Sequence, residues 1–284
     1  MAKNNRRRSG DRYDGRRIKN LGDLQLLLPH YISRRSEAQK RYEQEFEVGR
    51  AAAWLNAQRR AGHKGMSFMH LFIAAFVRCC AFLPGVNRFV AGRRLYAHDR
   101  VEIILSIKRR HSVDDSEIPI KLVLDRSDTV FDVYRKLNRA IESAETAEGG
   151  TRLEKIAARL LSRQRILNRF LAWLVRVADY FGILPDQMLA SSPFHGSLNV
   201  SDNGSLGIRS VYCDLHDFGT VPISANIGKA YSDGEHSFID IKFVLDGRIV
   251  DMETYASMFT MMQELLNDPA QLELPPQKIV NDDY

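Results

Sequence analysis

The sequence predicts an α/β fold in which a mixed β-sheet forms one layer and helices form a second layer over it. Strand-like segments alternate with helical ones along 284 residues, and there is no internal repeat. The segment 68–83 is apolar nearly all round, which is typical of a buried helix. Apolar residues make up 44% of the chain and charged residues 27%, the balance of a soluble globular protein.

Local patterns in the N-terminal half place its elements. The alternation in YEQEFEV predicts a strand, and apolar side chains recurring at helical spacing after it predict a helix. Ser67 should cap the apolar helix, which Pro84-Gly85 should end. The expected strands are 42–48, 101–108 and 118–124, with a strand-turn-strand at 87–96; the expected helices are 50–61, 68–83 and 129–143.

The C-terminal half continues the alternation after a flexible joint at 144–150. Strands are expected at 194–201, 219–227 and 238–245, followed by a helix at 253–267. Between them, 152–181 should form one or two strongly apolar helices punctuated by arginines. Such helices either lie on a membrane or pack on their own domain or a neighbouring subunit, and we favour packing.

The two ends differ from the middle. Residues 1–18 are expected to be a basic disordered arm, and 271–284 a C-terminal tail, around one domain at 19–270. Residues 1–17 hold seven basic and two acidic side chains, or +5 of the net +6, so the remainder is about neutral. Without interleaved aromatic residues or a folded basic face, a solvated arm is favoured over one that binds nucleic acid or an anionic surface.

The cysteines and the apolar runs indicate the compartment. Cys79, Cys80 and Cys213 are an odd number with one adjacent pair, which fits neither a disulfide framework nor a zinc site. No apolar run reaches the length of a membrane span, and the basic N-terminus is not followed by the apolar region of a signal peptide. We therefore expect a cytoplasmic protein with no metal site and no transmembrane segment.

Three motifs in one order carry a family resemblance. SLNVSDNGSLGI at 197–208, LDGRIVDM at 245–252 and the helix-and-turn segment at 65–96 resemble the catalytic domain of the 2-oxo acid dehydrogenase acyltransferases, the dihydrolipoyl acyltransferases. The stand-alone bacterial branch of that family is most similar. The resemblance covers roughly 20–268, with 152–181 inserted. It implies the fold that this family shares with chloramphenicol acetyltransferase.

The resemblance also implies a site. Such domains form homotrimers whose channel lies between subunits and admits CoA or acyl-CoA as a substrate, without a covalently bound cofactor. A histidine in an Asp-His-Arg motif deprotonates the thiol, a Ser or Thr donates a hydrogen bond to the oxyanion, and a final Asp holds the geometry. By position the oxyanion donor is Ser201 and the Asp is Asp251, while the histidine position is occupied by Gly247.

Each of these positions also has a purely structural interpretation. Ser201 can cap its own turn, and Asp251 can act as the N-cap of the helix at 253–267 or bind an arginine. Glycine cannot accept a proton, so a substitute base has to be sought among other residues. The candidates are Asp246, His216, His195, His236 and His70, of which His216 in its loop and His195, with the same strand parity as Ser201, are the catalytic candidates.

Two functions follow from the glycine. In the first, acyl transfer from acyl-CoA to a thiol, amine or alcohol is impaired, altered or carried by a substitute base. In the second, the chain is a non-catalytic homotrimeric or larger scaffold assembled through 152–181. A thiol of pKa ~8.5 is only a few per cent thiolate at pH 7, and a positioned base contributes roughly 10²–10⁴-fold, so its loss should be severe.

Overall fold

A six-stranded mixed sheet is the centre of the fold in the computed structural model, which describes residues 8–108, 117–146 and 165–282. Its strand order is β2-β9-β8-β7-β5-β6; β7 is parallel to β5 and β8, and the other pairs are antiparallel. The strands of the described chain are β1 Gly15–Arg17, β2 Gln39–Glu47, β3 Arg88–Ala91, β4 Arg94–His98, β5 Val101–Lys108, β6 Glu117–Leu124, β7 Leu198–Asp202, β8 Ile223–Asp233 and β9 His236–Asp246.

Helices cover one face of this sheet, as the sequence predicts. The helices of the described residues are α1 Asp23–Tyr31, α2 Gly49–Arg60, α3 Phe68–Phe82, α4 Val130–Glu145, α5 Arg165–Phe181, α6 Asp186–Ser191 and α7 Met252–Asn267. Of these, α2, α3, α4 and α7 pack on the main sheet. Short 3-10 turns occupy 84–87, 204–206 and 269–272. Among the described helices, none combines the length and the apolar character that a membrane crossing needs.

The core lies between the sheet and helices α3, α4 and α7. Alternate strand residues such as Val200, Ala225 and Phe243 point into it and are almost fully buried. Nearly every residue of α3 is buried as well, in agreement with its apolar sequence. Its N-terminus is closed by a reciprocal capping box between Ser67 and His70, which explains why the helix begins there. The α/β class and the covering helices are thus confirmed.

The structure corrects the expected disorder of residues 8–18. Strand β1 pairs with β4 in a separate three-stranded sheet of order β1-β4-β3. Arg12 is buried between Asp14 and Asp179, with Nε–Oδ1 and Nη2–Oδ1 distances of 2.9 and 2.6 Å. Ile18 joins the main core. A basic sequence thus becomes ordered because its central arginine finds buried carboxylates.

Several expected boundaries also shift. Strand β7 begins at Leu198 rather than at 194, and β8 runs from Ile223 to Asp233 rather than over 219–227. Gly219 has a φ of +94°, a left-handed conformation that a strand does not contain. The expected joint at 144–150 begins inside α4; 147–150 and the 152–164 part of the predicted helices lie outside the described residues.

The C-terminal segment is held against the domain. The backbone N–H of Val280 donates to the carbonyl of Ala81 at 2.8 Å. Asp282 forms a salt bridge with Arg88 in which Nε lies 2.7 Å from Oδ2. Burial of Asp282 shows that these contacts exclude water. The described part of the tail therefore packs on the end of α3 and the start of β3.

Candidate active site

The outer face of the main sheet, opposite the helices, carries the polar residues of the site. Residues 209–222, here called the covering segment, run across it. The backbone N–H of Val211 donates to Asn226 Oδ1 at 2.9 Å, and Gln39 Nε2 donates to the carbonyl of Leu215 at 3.0 Å. Leu215 packs with Ile104 and other apolar residues of this face. The covering segment is thus bound to the sheet at both ends of its crossing.

Ser201 lies under the covering segment. Its Oγ accepts a hydrogen bond from Asn226 Nδ2 at 2.6 Å and is 3.8 Å from Cys213 Sγ. Asn226 is the direct neighbour of Ser201 on β8 and is almost fully buried, so its amide is held in place. Because Ser201 accepts this bond, its own hydroxyl hydrogen remains able to donate. This geometry suits an oxyanion donor, although it equally orders the strand end.

The row of paired residues continues across the sheet beyond Asn226. Lys242 is its partner on β9, and Glu43 is the partner of Lys242 on β2. Lys242 Nζ lies 3.5 Å from Glu43 Oε1 and 3.5 Å from Asp240 Oδ2. The resemblance did not indicate Asn226 or Lys242. The alternation of polar Ser224 and Asn226 with apolar residues at the start of β8 is the sequence signal that could have located this row.

Gly247 follows β9 directly and is closed on one side by the strand at the sheet edge. Its N–H donates to the carbonyl of Ala38 at 3.0 Å. A Cβ added at Gly247 would lie 3.0 Å from that same oxygen and 3.3 Å from two side-chain carbons of Lys40. A larger residue is tight here but needs only a small shift. The residue itself supplies no proton acceptor.

The two residues that flank Gly247 form a buried ion pair. Asp246 accepts from Arg248 at Nε (2.9 Å), at Nη2 (2.7 Å) and at the backbone N–H (3.1 Å), and from Arg35 Nε at 3.3 Å. Both carboxylate oxygens thus accept two hydrogen bonds each, and all three side chains are at most 3% exposed. Asp246 is therefore committed to structure and is not available as a base.

Arg35 and Arg248 connect this ion pair to two chain segments. Arg35 donates to the carbonyl of His216 at 2.6 Å and to that of Gly219 at 2.8 Å, which holds the covering segment. Arg248 donates to the carbonyl of Ser33 at 3.1 Å. Burial lowers the pKa of the Arg35 guanidinium, and the Asp246 carboxylate offsets part of that effect. The motif thus anchors loops around the sheet edge.

Asp251 ends the motif as the N-cap of α7. Its Oδ1 accepts from Thr254 at the backbone N–H (2.8 Å) and at the hydroxyl (2.6 Å), and the carboxylate is exposed. These hydrogen bonds hold the pKa of Asp251 below its usual range. The N-cap interpretation accounts for all of its contacts among the described residues. A further role in shaping a catalytic channel stays a prediction.

His195 belongs to a buried charge network rather than to the sheet face. Its Nε2 lies 3.2 Å from Asp179 Oδ1, and its Nδ1 is 2.7 Å from Ser192 Oγ. Burial opposes ionisation of Asp179, but His195 and Arg12 together lower its pKa. The parity argument that paired His195 with Ser201 is wrong, because residues 194–197 precede the strand. His195 instead contacts α5 through Asp179, the same carboxylate that binds Arg12 of the N-terminal segment.

His216 lines a separate pocket on the same sheet face, with about 640 Å³ of open space. Its exposed ring contacts Phe194 edge-on at a centroid distance of 5.5 Å. The floor is polar: Asn199 and Ser224 are paired neighbours on β7 and β8. Ser224 is buried, and its Oγ has no hydrogen-bond partner among the described residues. Ser201 does not line this pocket. Within a single chain, His216 and Ser201 therefore do not share a pocket.

The two other histidine candidates lie elsewhere. His236 is exposed in the β8–β9 hairpin, with Nδ1 2.9 Å from Glu47 Oε1. His70 accepts from the backbone N–H of Ser67 at 3.0 Å within its capping box, and burial lowers its pKa. Neither reaches Ser201 or Gly247. Among the described residues, no group of three or more His, Cys, Asp or Glu side chains could hold a metal ion.

Comparison with solved structures finds the same architecture in acyltransferases. Chloramphenicol acetyltransferase matches with a TM-score of 0.58 at 13% identity, covering 89% of this chain and 99% of that chain. The cubic core of the pyruvate dehydrogenase multienzyme complex matches with a TM-score of 0.57 at 12% identity, covering 91% and 95%. No protein-family profile and no curated protein sequence matches this chain.

A third structure adds a chemical reference. The dihydrolipoamide acetyltransferase of Azotobacter vinelandii matches with a TM-score of 0.52 at 14% identity, covering 91% of this chain and 95% of that chain. In that enzyme a serine, a histidine and an asparagine have been investigated for their role in the catalytic mechanism. At these identities the likeness establishes the fold alone. The chain has the chloramphenicol acetyltransferase-like fold that dihydrolipoamide acetyltransferase cores share.

Proposed function

We propose that this protein is a cytoplasmic acyltransferase-fold oligomer that binds a CoA-type thioester but transfers the acyl group poorly. One observation carries the proposal: the position that resembles the thiol-deprotonating histidine is Gly247, and its neighbours offer no replacement. The fold and the hydrogen-bonded Ser201 support the binding half of the proposal. Gly247 supports the other half, the poor acyl transfer.

Asp246 is a poor substitute base because of its hydrogen bonds. Both of its oxygens already accept two bonds from Arg35 and Arg248, so no lone pair is directed toward a substrate thiol. Two guanidinium groups also enclose this fully buried carboxylate, which leaves it no access to a substrate. His216 is the best-placed remaining histidine of the described chain, but it lines the Asn199–Ser224 pocket instead.

The missing base sets the expected magnitude. A positioned base contributes roughly 10²–10⁴-fold to such a reaction, about 3–5 kcal/mol of barrier. An oriented hydroxyl at Ser201 could retain part of the remaining rate through its hydrogen bond to the oxyanion. We therefore expect measurable CoA or acetyl-CoA binding together with acyl transfer that is roughly 10²–10⁴-fold slower than with a positioned base.

Binding and turnover have to be measured separately. Calorimetry with CoA and acetyl-CoA tests binding, and CoA release in the presence of dihydrolipoamide tests transfer. Gly247→His is the informative variant, and Gly247→Ala is its matched control, because both place a Cβ 3.0 Å from the Ala38 carbonyl. We expect only Gly247→His to gain rate, and we expect Ser201→Ala to remove that gain.

Two results would overturn this proposal. Undetectable binding of CoA and acetyl-CoA at millimolar concentration would remove the CoA ligand. Efficient transfer by the unmodified protein would remove the impaired chemistry. If that transfer were abolished by His216→Asn, the histidine would be the substitute base, and the protein would be an active enzyme.

A non-catalytic homo-oligomeric scaffold is the second candidate. The structure that matches at a TM-score of 0.57 is the cubic core of a multienzyme complex, and a truncated core from Thermoplasma acidophilum has the same fold. We propose that this chain also assembles, as a trimer or a multiple of one. Sedimentation at micromolar concentration should show that stoichiometry. A monomer would contradict both functions, because the proposed channel needs a neighbouring subunit.

A further inference from the structure

Helix α5 presents an apolar face to solvent. Ile166 is 81% exposed, Phe170 53% and Trp173 56%, and Leu174, which follows Trp173, is exposed as well. The spacing of these residues places them on one stripe along the helix. Large apolar side chains scattered singly on a surface are ordinary, but a continuous stripe of them marks an interaction surface.

The opposite face of α5 faces the protein. Leu171 and Val175 are half-buried, and Asp179 near the C-terminal end is buried against Arg12 and His195. Asp179 thus fixes the end of the helix and with it the rotation of the helix about its axis. The apolar stripe therefore faces outward in the folded chain.

The charges next to the stripe are all positive. At about 100° per residue, Arg165, Arg169 and Arg176 fall within about 40° of one another along one edge of the stripe. All three are exposed, and residues 165–178 contain no acidic side chain. Long arginine side chains beside an apolar surface can reach an anionic headgroup while their methylene groups remain in apolar contact.

The C-terminal end of α5 extends this surface. A Cβ at Gly92 would lie 2.3 Å from the Tyr180 carbonyl oxygen, so the β3–β4 turn touches the end of the helix. Arg93 and Arg94 in that turn are exposed. Phe181, the last residue of α5, is 69% exposed. Basic and large apolar side chains therefore continue together past the helix.

From these observations we propose that α5 binds the surface of an anionic lipid bilayer, with its apolar stripe in the interface and its arginines at the headgroups. A basic amphipathic helix with Trp and Phe on its apolar face has the properties of interfacial helices. A second copy is a poorer occupant, because two stripes in contact would bring two rows of arginines together with no acidic residue on either helix between 165 and 178. The inference is independent of the acyl-transfer proposal.

Trp173 provides the probe. The chain has two tryptophans, and Trp54 is partly buried, with its indole N–H donating to Glu273 at 2.9 Å. In the full-length Trp54→Phe protein, Trp173 emission should shift to shorter wavelength on adding phosphatidylglycerol-containing vesicles. Bilayers with brominated acyl chains should quench it. Phosphatidylcholine vesicles should have little effect, and salt should weaken the binding.

Two variants test the two parts of the surface. Arg169→Gln with Arg176→Gln should weaken vesicle binding roughly tenfold to thirtyfold, at ~1 kcal/mol for each basic residue. Phe170→Glu should abolish it. Leu274→Glu is the matched control, since Leu274 is 71% exposed but lies outside α5, and it should leave vesicle binding unchanged.

Three results would overturn the membrane inference. The first is solvent-exposed Trp173 emission in the presence of anionic vesicles, and the second is equal binding to neutral vesicles. A short-wavelength emission without vesicles would show that the stripe is already covered. If that short-wavelength emission depends on protein concentration, a second copy of the chain covers the stripe. If it does not, another segment of the same chain covers it.

Discussion

Replacing Asp246 with Asn should destabilise the fold far more than replacing the second aspartate of the same motif. Asp246 is fully buried and accepts four hydrogen bonds from Arg35 and Arg248. Its neutral amide replacement leaves two buried guanidinium groups without a counter-charge. Breaking a buried pair by removing one partner costs about 3–5 kcal/mol. That loss is comparable to the whole stability of a marginal domain, ~5–15 kcal/mol.

Asp251→Asn is the matched control. Asp251 is exposed and acts through its N-cap bonds to Thr254, and Asn is as good an N-cap as Asp. Its free energy of unfolding should stay within about 0.5 kcal/mol of the unmodified protein. Urea unfolding at one fixed protein concentration measures both variants. A loss of under about 1 kcal/mol for Asp246→Asn, or equal losses for the two, would refute the buried-pair reasoning.

A triple replacement separates charge from packing. Arg35→Met, Asp246→Leu and Arg248→Met together remove every charge of the network while keeping apolar volume. Replacing a whole buried ionic cluster by apolar residues is often neutral or stabilising, so the triple variant should be more stable than Asp246→Asn alone. If it is equally unstable, the hydrogen bonds to the loops, and not the unpaired charge, account for the loss.

Three further measurements follow from the structure. With a thiol reagent, Cys213 should react first, because burial raises the pKa of the Cys79 and Cys80 thiols; fast reaction of all three would contradict this packing. Gly219→Ala should lower stability by several kcal/mol or prevent folding, since its Cβ would lie 1.9 Å from a carbonyl oxygen at a φ of +94°; a native-like urea midpoint would refute it. Burial lowers the pKa of His98 below its unfolded value near ~6.5, so its contribution to stability is present above that pH and is lost as the pH falls. His98→Gln should therefore reduce the decline in the free energy of unfolding between pH 7 and 5. An unchanged slope of that free energy against pH would contradict this reasoning.

Much of the fold followed from local sequence. The alternation that predicted β9 and the apolar run that predicted α3 reflect burial by a sheet face and by a core, and both elements form where expected. The order at Arg12 could not be read locally, because its partner Asp179 is 167 residues away. The local sequence of such a basic segment predicts disorder, because the buried carboxylate that orders it is distant in the sequence.

The sequence also predicted part of the candidate site, namely the residues that belong to its motifs. Position in the motif placed Ser201 on the sheet and Gly247 at the strand end, and local spacing gave the N-cap role of Asp251. Asn226 and Arg35 were missed because their contacts join residues 25 and 211 positions apart. Such contacts depend on strand order and loop packing, which local patterns do not specify.

Acceptor-dependent CoA release from acetyl-CoA by the unmodified protein tests the central claim most directly. With Gly247 at the base position and Asp246 committed to two arginines, we predict release roughly 10²–10⁴-fold slower than by an enzyme with a positioned base, while calorimetry still detects CoA binding. Release with a kcat/KM in the ordinary enzyme range, about 10⁴ M⁻¹s⁻¹ or more, would contradict the claim and require another proton acceptor.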